Sequence, residues 1–280
     1  MPRIDELLSA AEQQLSESDS ARLDAEVLLS YVLGKPRSYL RAWPEVEPGV
    51  VAEKDYLQIL ARRSAGEPVA HLTGEREFWS LSLQVTPDTL VPRPDTELLV
   101  SETLKCLPKT GEISIADLGT GSGAVALAIA SECQHCHITA TDLSTAALAV
   151  AQANAKRLGQ KNIHFLHSNW CSAFGRKDHF DIIVSNPPYI PANDPHLLSA
   201  ELACEPQFAL ASGEDGLDAI RLITHQAKEH LVDGGWLLVE HGYDQGESVR
   251  ELFHDSGYKD VETYHDLAGH ARVCKGRKPA

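Results

Sequence analysis

The stretch Ile113–Ala128, "ISIADLGTGSGAVALA", decides the fold. Apolar and small residues at its start predict a buried strand, and the apolar run at its end predicts a helix. Between them, glycine permits positive φ and close backbone approach, and the helix N-terminus offers free N–H groups to a ligand. We therefore expect a cofactor-binding turn made by Gly119, Thr120, Gly121, Ser122 and Gly123. The dinucleotide fingerprint G-x-G-x-x-G is not matched, which argues against NAD or FAD.

Strand-like and helical segments continue to alternate after this stretch. In chain order they are "HITATD", "STAALAVAQANAKRLG", "IHFLHS", "DIIVS", "LDAIRLITHQAKEHL" and "WLLVE". Alternation at this spacing predicts right-handed βαβ units and a Rossmann-like α/β fold with a mainly parallel sheet. Two further strand candidates, "KDVETYH" and "ARVCKG", have no full helix between them. We expect these two to form an antiparallel hairpin at the edge of the sheet.

The amino-terminal region has a different pattern, because helical segments follow one another without strands. These segments are "IDELLSAAEQQL", "SARLDAEVLLSYVLG" and "VVAEKDYLQILARRSAG". Ser20 is expected to cap the second helix and Gly34 to end it. The apolar residues expected to form the inner stripes of this small bundle are Leu23, Val27, Tyr31, Leu57, Leu60 and Ala61.

A mixed segment, "EPVAHLTGEREFWSLSLQVTPDTLVPRPDTE", separates the two patterns. Aromatic and β-branched residues alternate there with turn formers, which predicts a β-hairpin. We therefore expect three parts: a helical substrate-recognition domain at 1–69, a hairpin linker at 70–92, and a cofactor-binding catalytic domain at 93–280.

Composition narrows the classes of function. The 280 residues carry 25 Lys and Arg against 40 Asp and Glu, a net charge of −15. Such a charge disfavours phosphate-driven binding to nucleic acid or to anionic membranes, although a local basic patch is compatible with it. The chain has no apolar run of about 18 residues and begins with an amphipathic, acid-containing segment, so we expect a cytoplasmic protein.

Six cysteines are scattered along the chain, which predicts reduced thiols rather than a disulfide framework. One group, "CQHCH" from Cys133 to His137, matches the pattern of c-type haem attachment and could also suggest zinc. No second Cys/His pair supplies tetrahedral zinc spacing, and the group falls between a predicted helix and a predicted strand. We therefore interpret it as a turn and expect no metal.

Two of the predicted strands end in residues that suit a nucleoside. Asp142 closes the second strand, where a carboxylate can accept hydrogen bonds from both ribose hydroxyls, although helix capping is an alternative role. The third strand ends in "SNW". There Asn169 can read an adenine edge and Trp170 can lie on its face, unless the tryptophan is simply part of the core. Because parallel strands share one carboxyl edge, these side chains should converge.

The fourth predicted strand runs into "NPPY", Asn186–Tyr189. Two prolines lack N–H groups and have fixed φ, so the chain must leave the sheet there as a stiff loop. Asn186 offers an acceptor, and the carbonyl of Pro187 is an acceptor released from the ladder. Together they can hold a planar NH₂ group while Tyr189 stacks on it. A structural double-proline turn is the alternative.

Through "DLGTGSG", Asp142 and "NPPY" the chain resembles S-adenosylmethionine-dependent methyltransferases that act on a conjugated nitrogen of adenine or glutamine. The longer segments "GEREFWSLSLQV", "LVPRPDTELLV", "GEDGLDAIR", "LLVEHGYDQGE" and "DLAGHARV" look like the peptide chain release factor glutamine methyltransferase family. That resemblance covers nearly the whole chain. It implies a class I methyltransferase fold with a seven-stranded sheet, S-adenosylmethionine as cofactor and S-adenosylhomocysteine as product.

The resemblance also implies roles for particular residues. The glycine turn, Asp142, Asn169, Trp170 and Asn186 correspond to cofactor positions, and the substrate glutamine would occupy a pocket made by Asn186, Pro187, Pro188 and Tyr189, with Asn186, Pro187 and Tyr189 acting in catalysis. Asn169 departs from the family, which more often has Asp, so cofactor affinity is expected to differ somewhat. The segment "RPDTE", Arg93–Glu97, resembles one that lies beside the cofactor and the pocket.

The implied reaction is methylation of the glutamine of the Gly-Gly-Gln motif in release factors by a monomeric enzyme. Three alternatives stay open. A ribosomal-protein glutamine methyltransferase shares the chemistry, an adenine-N6 DNA methyltransferase fits poorly with the net charge of −15, and a non-catalytic binding module does not explain an intact N-P-P-Y.

Overall fold

The computed structural model describes residues 1–108, 110–200 and 202–280. The chain divides into two compact units, each with its own core. The first comprises Met1–Glu75 with Ser199–Cys204, and the second comprises Arg76–Leu198 with Glu205–Ala280.

The second unit is built on a seven-stranded sheet. Its strands are β3 (Ile113–Leu118), β4 (Cys136–Asp142), β5 (Ile163–His167), β6 (Phe180–Ser185), β7 (Leu231–Glu240), β8 (Lys259–His265) and β9 (Ala271–Arg277). Their spatial order is β5-β4-β3-β6-β7-β9-β8. The first five of this order pair in parallel, and β9 runs antiparallel to both β7 and β8. The predicted mainly parallel sheet with an antiparallel edge pair is confirmed.

Helices cover both faces of this sheet. They are α6 (Glu97–Cys106), α7 (Ala124–Glu132), α8 (Thr145–Arg157), α9 (Asp218–His230) and α10 (Gly246–Asp255). Side chains of α6, α7 and α8 share one buried cluster with Ile115 and Val184 of the sheet. Those of α9 and α10 share another with Ile183 and Leu237, on the opposite face. Successive strand residues point to opposite faces, so the apolar strands supply both cores.

The first unit is helical. Its helices are α1 (Ile4–Gln14), α2 (Ala21–Leu33), α3 (Arg37–Ala42), α4 (Val50–Ser64) and α5 (Val69–Thr73). Gly34 ends α2 in the left-handed conformation, as expected. Ser20 is the N-cap residue but makes no side-chain capping bond, because its hydroxyl donates to Asp24 instead. The short helices α3 and α5 were not predicted.

The predicted inner stripe of α2 is wrong. Leu23 and Tyr31 are 44% and 53% exposed and Val27 is half-buried, whereas the buried apolar residues of the helix are Ala25, Leu28 and Leu29. In α4, Leu60 is buried as expected, but Leu57 and Ala61 are exposed. The buried face of α2 also carries two carboxylates, Asp24 and Glu26, which pair with arginines and so tolerate burial. Partners from other helices, Arg37 of α3 for Glu26 and Arg63 of α4 for Asp24, stabilise this buried face, and four-residue spacing within α2 does not reveal them.

The predicted hairpin consists of β1 (Glu75–Phe78) and β2 (Leu81–Gln84). Trp79 and Ser80 form its turn, both with positive φ, as a type I′ hairpin turn requires. Asn154 of α8 pairs with both backbone groups of Gln84, at 2.7 and 2.9 Å, and also donates to the carbonyl of Ser122 at 2.9 Å. One buried amide therefore joins the hairpin to the glycine turn.

Cys133 and Cys136 form a disulfide, which corrects the expectation of reduced thiols for this pair. The turn between α7 and β4 holds their Cα atoms 5.4 Å apart, within the range that a disulfide spans. The turn interpretation of "CQHCH" is confirmed, since the Cys136 N–H donates to the Cys133 carbonyl. Cys106, Cys171, Cys204 and Cys274 are free thiols.

Among the described helices, none combines the length and the apolar character needed to cross a membrane.

Candidate active site

The sheet order brings the predicted site residues to one edge. Strand β3 lies between β4 and β6. The chain continues from β3 to β4 and β5 on one side of it and then crosses to β6 and β7 on the other side, so a crevice opens at the carboxyl ends of β3 and β6. Open α/β sheets bind ligands at such a reversal of strand order. The glycine turn follows β3, Asp142 ends β4, and Asn186 follows β6.

The glycine turn is held against β4 by its backbone. The N–H groups of Gly119 and Thr120 both donate to the carbonyl of Thr141, at 2.9 and 2.8 Å. Gly119, Gly121 and Gly123 all have positive φ. A Cβ atom on Gly123 would lie 3.0 Å from Leu127 and 3.1 Å from Ala151, so only glycine lets α7 start this close to α8.

Asp117 fixes the turn from below. Its carboxylate accepts hydrogen bonds from the Thr120 hydroxyl at 2.6 Å and from the Ala126 N–H at 3.2 Å. Burial raises the pKa of Asp117 to about 7, although both hydrogen bonds favour the ionised form. Asp117 therefore supports the turn, and it also borders a cavity that is lined by the turn and Asn186.

Asp142 holds the turn and faces the crevice. One carboxylate oxygen accepts the Gly121 N–H and the other accepts the Ser144 N–H, both at 2.8 Å. Burial raises the pKa of Asp142, while these backbone donors act in the opposite sense. Ser144 caps α8 through its own hydroxyl, which accepts from the Ala147 N–H at 3.1 Å. Asp142 thus contacts the start of α8, as the capping alternative expects, and its carboxylate has further lone pairs for other donors.

Trp170 forms a wall of the crevice. Its backbone has a φ of 51°, and its carbonyl accepts from the Ser168 hydroxyl at 2.7 Å. A Cβ atom on Gly119 would lie 3.1 Å from the indole ring, so glycine at this position makes room for the tryptophan. Asn169 is exposed beside it, and the backbone N–H of Asn169 donates to the Ser172 hydroxyl. The ring thus packs on the turn with a face available to a planar ligand.

One cavity collects most of the predicted cofactor residues. The predicted residues that line it are Gly119, Gly121, Asp142, Asn169, Trp170, Asn186 and Pro188. Thr120 and Ser122 line an adjoining cavity with Gly119, Gly121 and Asn186. Gly123 lines neither of these cavities and acts as the N-cap of α7. Sequence reasoning missed other lining residues, which are Asp88, Thr89, Leu90, Leu143, Ala147, Ser168, Phe208 and Ala209.

Asn186 presents an unpaired acceptor at this edge. Its Nδ2 donates to the hydroxyl of Thr96 at 3.1 Å. Its Oδ1 is buried, and within 1–108, 110–200 and 202–280 no donor pairs with it. Buried polar atoms are nearly always hydrogen-bonded, so an orphan acceptor in a crevice indicates a place for a ligand donor.

The rest of N-P-P-Y leaves β6 as a fixed loop. Pro187 is buried, and the Ile190 N–H donates to the Leu210 carbonyl at 3.0 Å. The hydroxyl of Tyr189 donates to Glu240 at 3.4 Å, and its carbonyl accepts from Gln245 at 2.9 Å. Burial and the charge of Glu240 both raise the pKa of Tyr189, which keeps the phenol protonated. Pro187 and Tyr189 thus shape the loop behind Asn186 rather than the cofactor cavity.

Glu240 was not predicted. It ends β7 next to β6 and is only 1% exposed. Burial raises the pKa of Glu240 to about 7, against the effects of the Thr96 hydroxyl, the positive charge of Arg272 and the Tyr189 hydroxyl. The only sequence signal was its place at a strand end within "LLVEHGYDQGE".

Four of the five residues of the "RPDTE" segment each form an ion pair or a hydrogen bond with a different residue around the site. Arg93 pairs with buried Glu205, which also accepts the Val91 N–H at 2.9 Å. The other pairs are Asp95 with Arg272 at 2.9 Å, Thr96 with Asn186 at 3.1 Å and Glu97 with the Trp79 N–H at 3.0 Å. Because Asp88–Leu90 and Phe208–Ala209 line the same cavity, the Arg93–Glu205 pair connects two of its walls.

These features fit a nucleoside cofactor with a reactive group beside Asn186. The glycine turn gives close backbone approach, Asp142 offers carboxylate lone pairs, and Trp170 offers an aromatic face. The orphan Oδ1 of Asn186 marks where a second ligand's donor can bind.

Comparison with known proteins indicates the family of the chain. Residues 6–74 match the family model described as the PrmC N-terminal domain, and residues 95–213 match the methyltransferase small domain. A release factor glutamine methyltransferase of Coxiella burnetii is 51% identical over 99% of this chain and 100% of its own length. One of Pseudomonas aeruginosa is 50% identical over 95% of this chain and 96% of its own length.

Among solved structures, a methyltransferase of Pyrococcus furiosus matches with a TM-score of 0.54 and 20% identity. It covers 71% of this chain and 90% of its own, and this likeness concerns the fold. The two release factor glutamine methyltransferases, at 51% and 50% sequence identity, match almost the whole chain. The chain therefore belongs to the release factor glutamine methyltransferase family, whose cofactor is S-adenosylmethionine.

Proposed function

We propose that this chain methylates the side-chain amide nitrogen of the glutamine in the Gly-Gly-Gln motif of peptide chain release factors, giving N5-methylglutamine and S-adenosylhomocysteine. The relatives that match almost the whole chain carry the corresponding name. The observation that carries the proposal is the buried, unpaired Oδ1 of Asn186 at the carboxyl edge of β6. An amide NH₂ is the donor that this acceptor lacks.

The cofactor is assigned to the crevice between the glycine turn and Trp170. Asp142 would accept from the ribose hydroxyls, Asn169 would face the adenine edge, and Trp170 would lie on the adenine ring. S-adenosylmethionine supplies an electrophilic methyl group on a sulfonium. Asn186 borders both cavities at this edge, which supports a role for it beside both the cofactor and the substrate amide.

The residues of N-P-P-Y position the substrate amide. Asn186 Oδ1 and the Pro187 carbonyl each accept one N–H, which holds the NH₂ group with one lobe directed at the cofactor. Tyr189, whose hydroxyl is held by Glu240, provides a fixed aromatic wall for the planar amide.

This arrangement favours the transition state over the ground state. The amide nitrogen is a poor nucleophile because its lone pair is delocalised. As positive character develops on the nitrogen, the two acceptors bind its hydrogens more strongly, which lowers the barrier. Alignment contributes further, since well-oriented intramolecular reactions gain roughly 7–11 kcal/mol. The amide proton can leave late, to water.

The amino-terminal part is assigned to recognition of the protein substrate. We propose the division of labour 1–69 for recognition, 70–92 as hairpin linker and 93–280 for catalysis. We further propose that the enzyme acts in the cytoplasm as a monomer and needs no nucleic acid. The net charge of −15 supports the last point, since it opposes phosphate-driven binding.

The test is incubation with methyl-labelled S-adenosylmethionine and separate candidate substrates. Whole release factor, the same factor with its motif glutamine changed to asparagine, ribosomal proteins and DNA would be compared. We expect label only on the first, with mass spectrometry placing one methyl group on the motif glutamine. Label on ribosomal protein or DNA in preference to release factor would contradict the proposal.

A further inference from the structure

Phe208 places an aromatic side chain at the cofactor crevice. It lines the same cavity as Asp142, Asn169 and Trp170, and it is 58% exposed. Transfer of an apolar ring out of water is favourable, and a ligand bound in the cavity would cover the exposed ring. Phe208 is therefore a candidate contact for the cofactor.

The segment that carries Phe208 is fixed on its amino-terminal side by Glu205. The side chain of Glu205 is buried, accepts the Val91 N–H at 2.9 Å and pairs with Arg93. Val91 directly follows Asp88–Leu90, which lines the same cavity as Phe208. The contacts of Glu205 thus hold the start of this segment next to another wall of the cavity.

The segment is also fixed after Phe208. The carbonyl of Leu210 accepts the Ile190 N–H at 3.0 Å, and the Ser212 N–H donates to the Ile190 carbonyl at 2.9 Å. Phe208 lies between these contacts and Glu205, in the 3₁₀ turn Gln207–Ala209. A ligand that binds a side chain on a backbone held at both ends loses less free energy to ordering of the protein.

The lining of the two cavities indicates which part of the cofactor Phe208 faces. Leu143, Asn169 and Trp170 line the first cavity together with Phe208, and they lie at the end assigned to the nucleoside. The second cavity is lined by Thr120 and other residues of the glycine turn, and Phe208 is not among its lining residues. Phe208 therefore lies at the nucleoside end, where the flat adenine base suits an aromatic ring.

We propose that Phe208 is a cofactor-binding residue, whose ring covers the adenine of S-adenosylmethionine in the cavity that Asn169 and Trp170 also line. The inference rests on the proposed function only through the place assigned there to the cofactor. The sulfonium is the competing partner for the ring, because an aromatic face also attracts a cation. The position of Phe208 beside the nucleoside residues favours the adenine.

The experiment is calorimetric titration of the full-length protein, without any protein substrate, with three ligands. They are S-adenosylmethionine, S-adenosylhomocysteine and methylthioadenosine, which share the adenosyl group. Only the first carries a sulfonium, and the last lacks the amino acid. We expect Phe208→Ala to raise all three dissociation constants about tenfold, because removal of an aromatic contact to a base has an effect of this size.

Two further variants and one control test whether the ring itself is needed. Phe208→Tyr keeps the ring and should keep most of the affinity, whereas Phe208→Leu keeps only an apolar side chain and should lie between tyrosine and alanine. Leu198→Ala is the matched control, because Leu198 is 85% exposed at the end of the 3₁₀ turn Pro195–Leu198 and is not a lining residue of the cavity. It should leave the three dissociation constants unchanged.

Two results would overturn the inference. If Phe208→Ala and Phe208→Leu weaken binding of S-adenosylmethionine but not of the other two ligands, the ring contacts the sulfonium and not the adenine. If both variants bind all three ligands as the unchanged protein does, Phe208 does not contact the cofactor, whatever happens to the thermal midpoint of the ligand-free protein.

These outcomes are separate from those of the proposed function, because the titrations contain no release factor. If the unchanged protein does not methylate release factor but Phe208→Ala weakens binding of all three ligands, the proposed function fails and the role of Phe208 stands. If release factor is methylated and the dissociation constants do not respond to Phe208→Ala, the proposed function stands and the role of Phe208 fails.

Discussion

The amide of Asn186 donates from Nδ2 to the Thr96 hydroxyl at 3.1 Å, so that Oδ1 is left buried and, in the part of the chain that the structure describes, without a donor. Asn186 comes directly after β6, and Thr96 lies just before α6. The contact therefore connects the carboxyl end of β6, which carries the acceptor, with the segment before α6 that borders the crevice. A buried acceptor without a donor carries a desolvation cost, and a ligand amide bound at Oδ1 would remove that cost.

Asn186→Ala should nearly abolish methyl transfer while changing cofactor binding less. The substitution removes an acceptor that strengthens as charge develops on the substrate nitrogen, and loss of one such group typically lowers kcat by about 10²–10³-fold. Single-turnover assays with whole release factor would measure the chemical step, and calorimetry would measure cofactor affinity. Asn162→Ala is a suitable control, because that amide donates to the Cys133 and Cys136 carbonyls at the other edge of the sheet. Near-normal turnover in Asn186→Ala would contradict the assignment.

Asp142→Ala should weaken cofactor binding more than it slows turnover at saturating cofactor. The ribose would lose its acceptor and the Gly121 N–H its partner, and hydrogen bonds to charged groups contribute about 1.5–3 kcal/mol each. Calorimetric titration should therefore show a dissociation constant at least about tenfold higher. Asp181→Ala is the matched control, because Asp181 also accepts a backbone N–H, from Ser114, but at the start of β6. Equal affinity in the two variants would remove Asp142 from the site.

Asp117 should make the ligand-free protein less stable as the pH rises. Burial raises the pKa of Asp117 to about 7, so between about pH 4 and pH 7 the folded protein binds a proton that the unfolded chain has released. The unfolded state binds fewer protons in this window, and the free energy of unfolding therefore declines with pH, by at most about 1.4 kcal/mol per pH unit for one group. Urea unfolding across this range should show a smaller decline in Asp117→Asn. Identical slopes in the two proteins would mean that Asp117 stays ionised throughout.

Local patterns predicted the sheet and the cofactor edge because the residues that form each of them are close together in the sequence. The strand, glycine turn and helix of Ile113–Ala128 are contiguous, and Asp142 and Trp170 follow their strands directly. The partners of the site are different. Thr96 lies 90 residues from Asn186 and Glu205 lies 112 from Arg93, so no periodicity or spacing connects them.

Burial of polar and small residues limited the other predictions. In α2, alanine and paired carboxylates occupy part of the inner face, so the larger side chains of Leu23 and Tyr31 were assigned to the core although they are exposed. The Cys133–Cys136 disulfide depends on the separation of two Cα atoms across a turn, which sequence spacing does not determine.

Trp43→Ala should impair methylation of whole release factor without affecting the chemistry. A glutamine side chain is too small to identify one protein among thousands, and specific contacts usually bury about 1,200–2,000 Å² in total. Trp43 follows α3 in the helical unit and is 52% exposed, and tryptophan is enriched among residues that dominate binding energy. Loss of such a contact costs more than about 1 kcal/mol, which should raise KM for release factor at least about fivefold with kcat nearly unchanged.

A short Gly-Gly-Gln peptide provides the second arm of this test, since it reaches the pocket but cannot contact the helical unit. We expect the unchanged protein and Trp43→Ala to methylate the peptide equally slowly. Leu222→Ala is the control, because Leu222 is exposed to a similar extent on α9 of the other unit and should leave KM for release factor unchanged. If Trp43→Ala and further exposed positions of the bundle, such as Val51 and Leu57, all leave KM for whole release factor unchanged, recognition lies outside the helical unit.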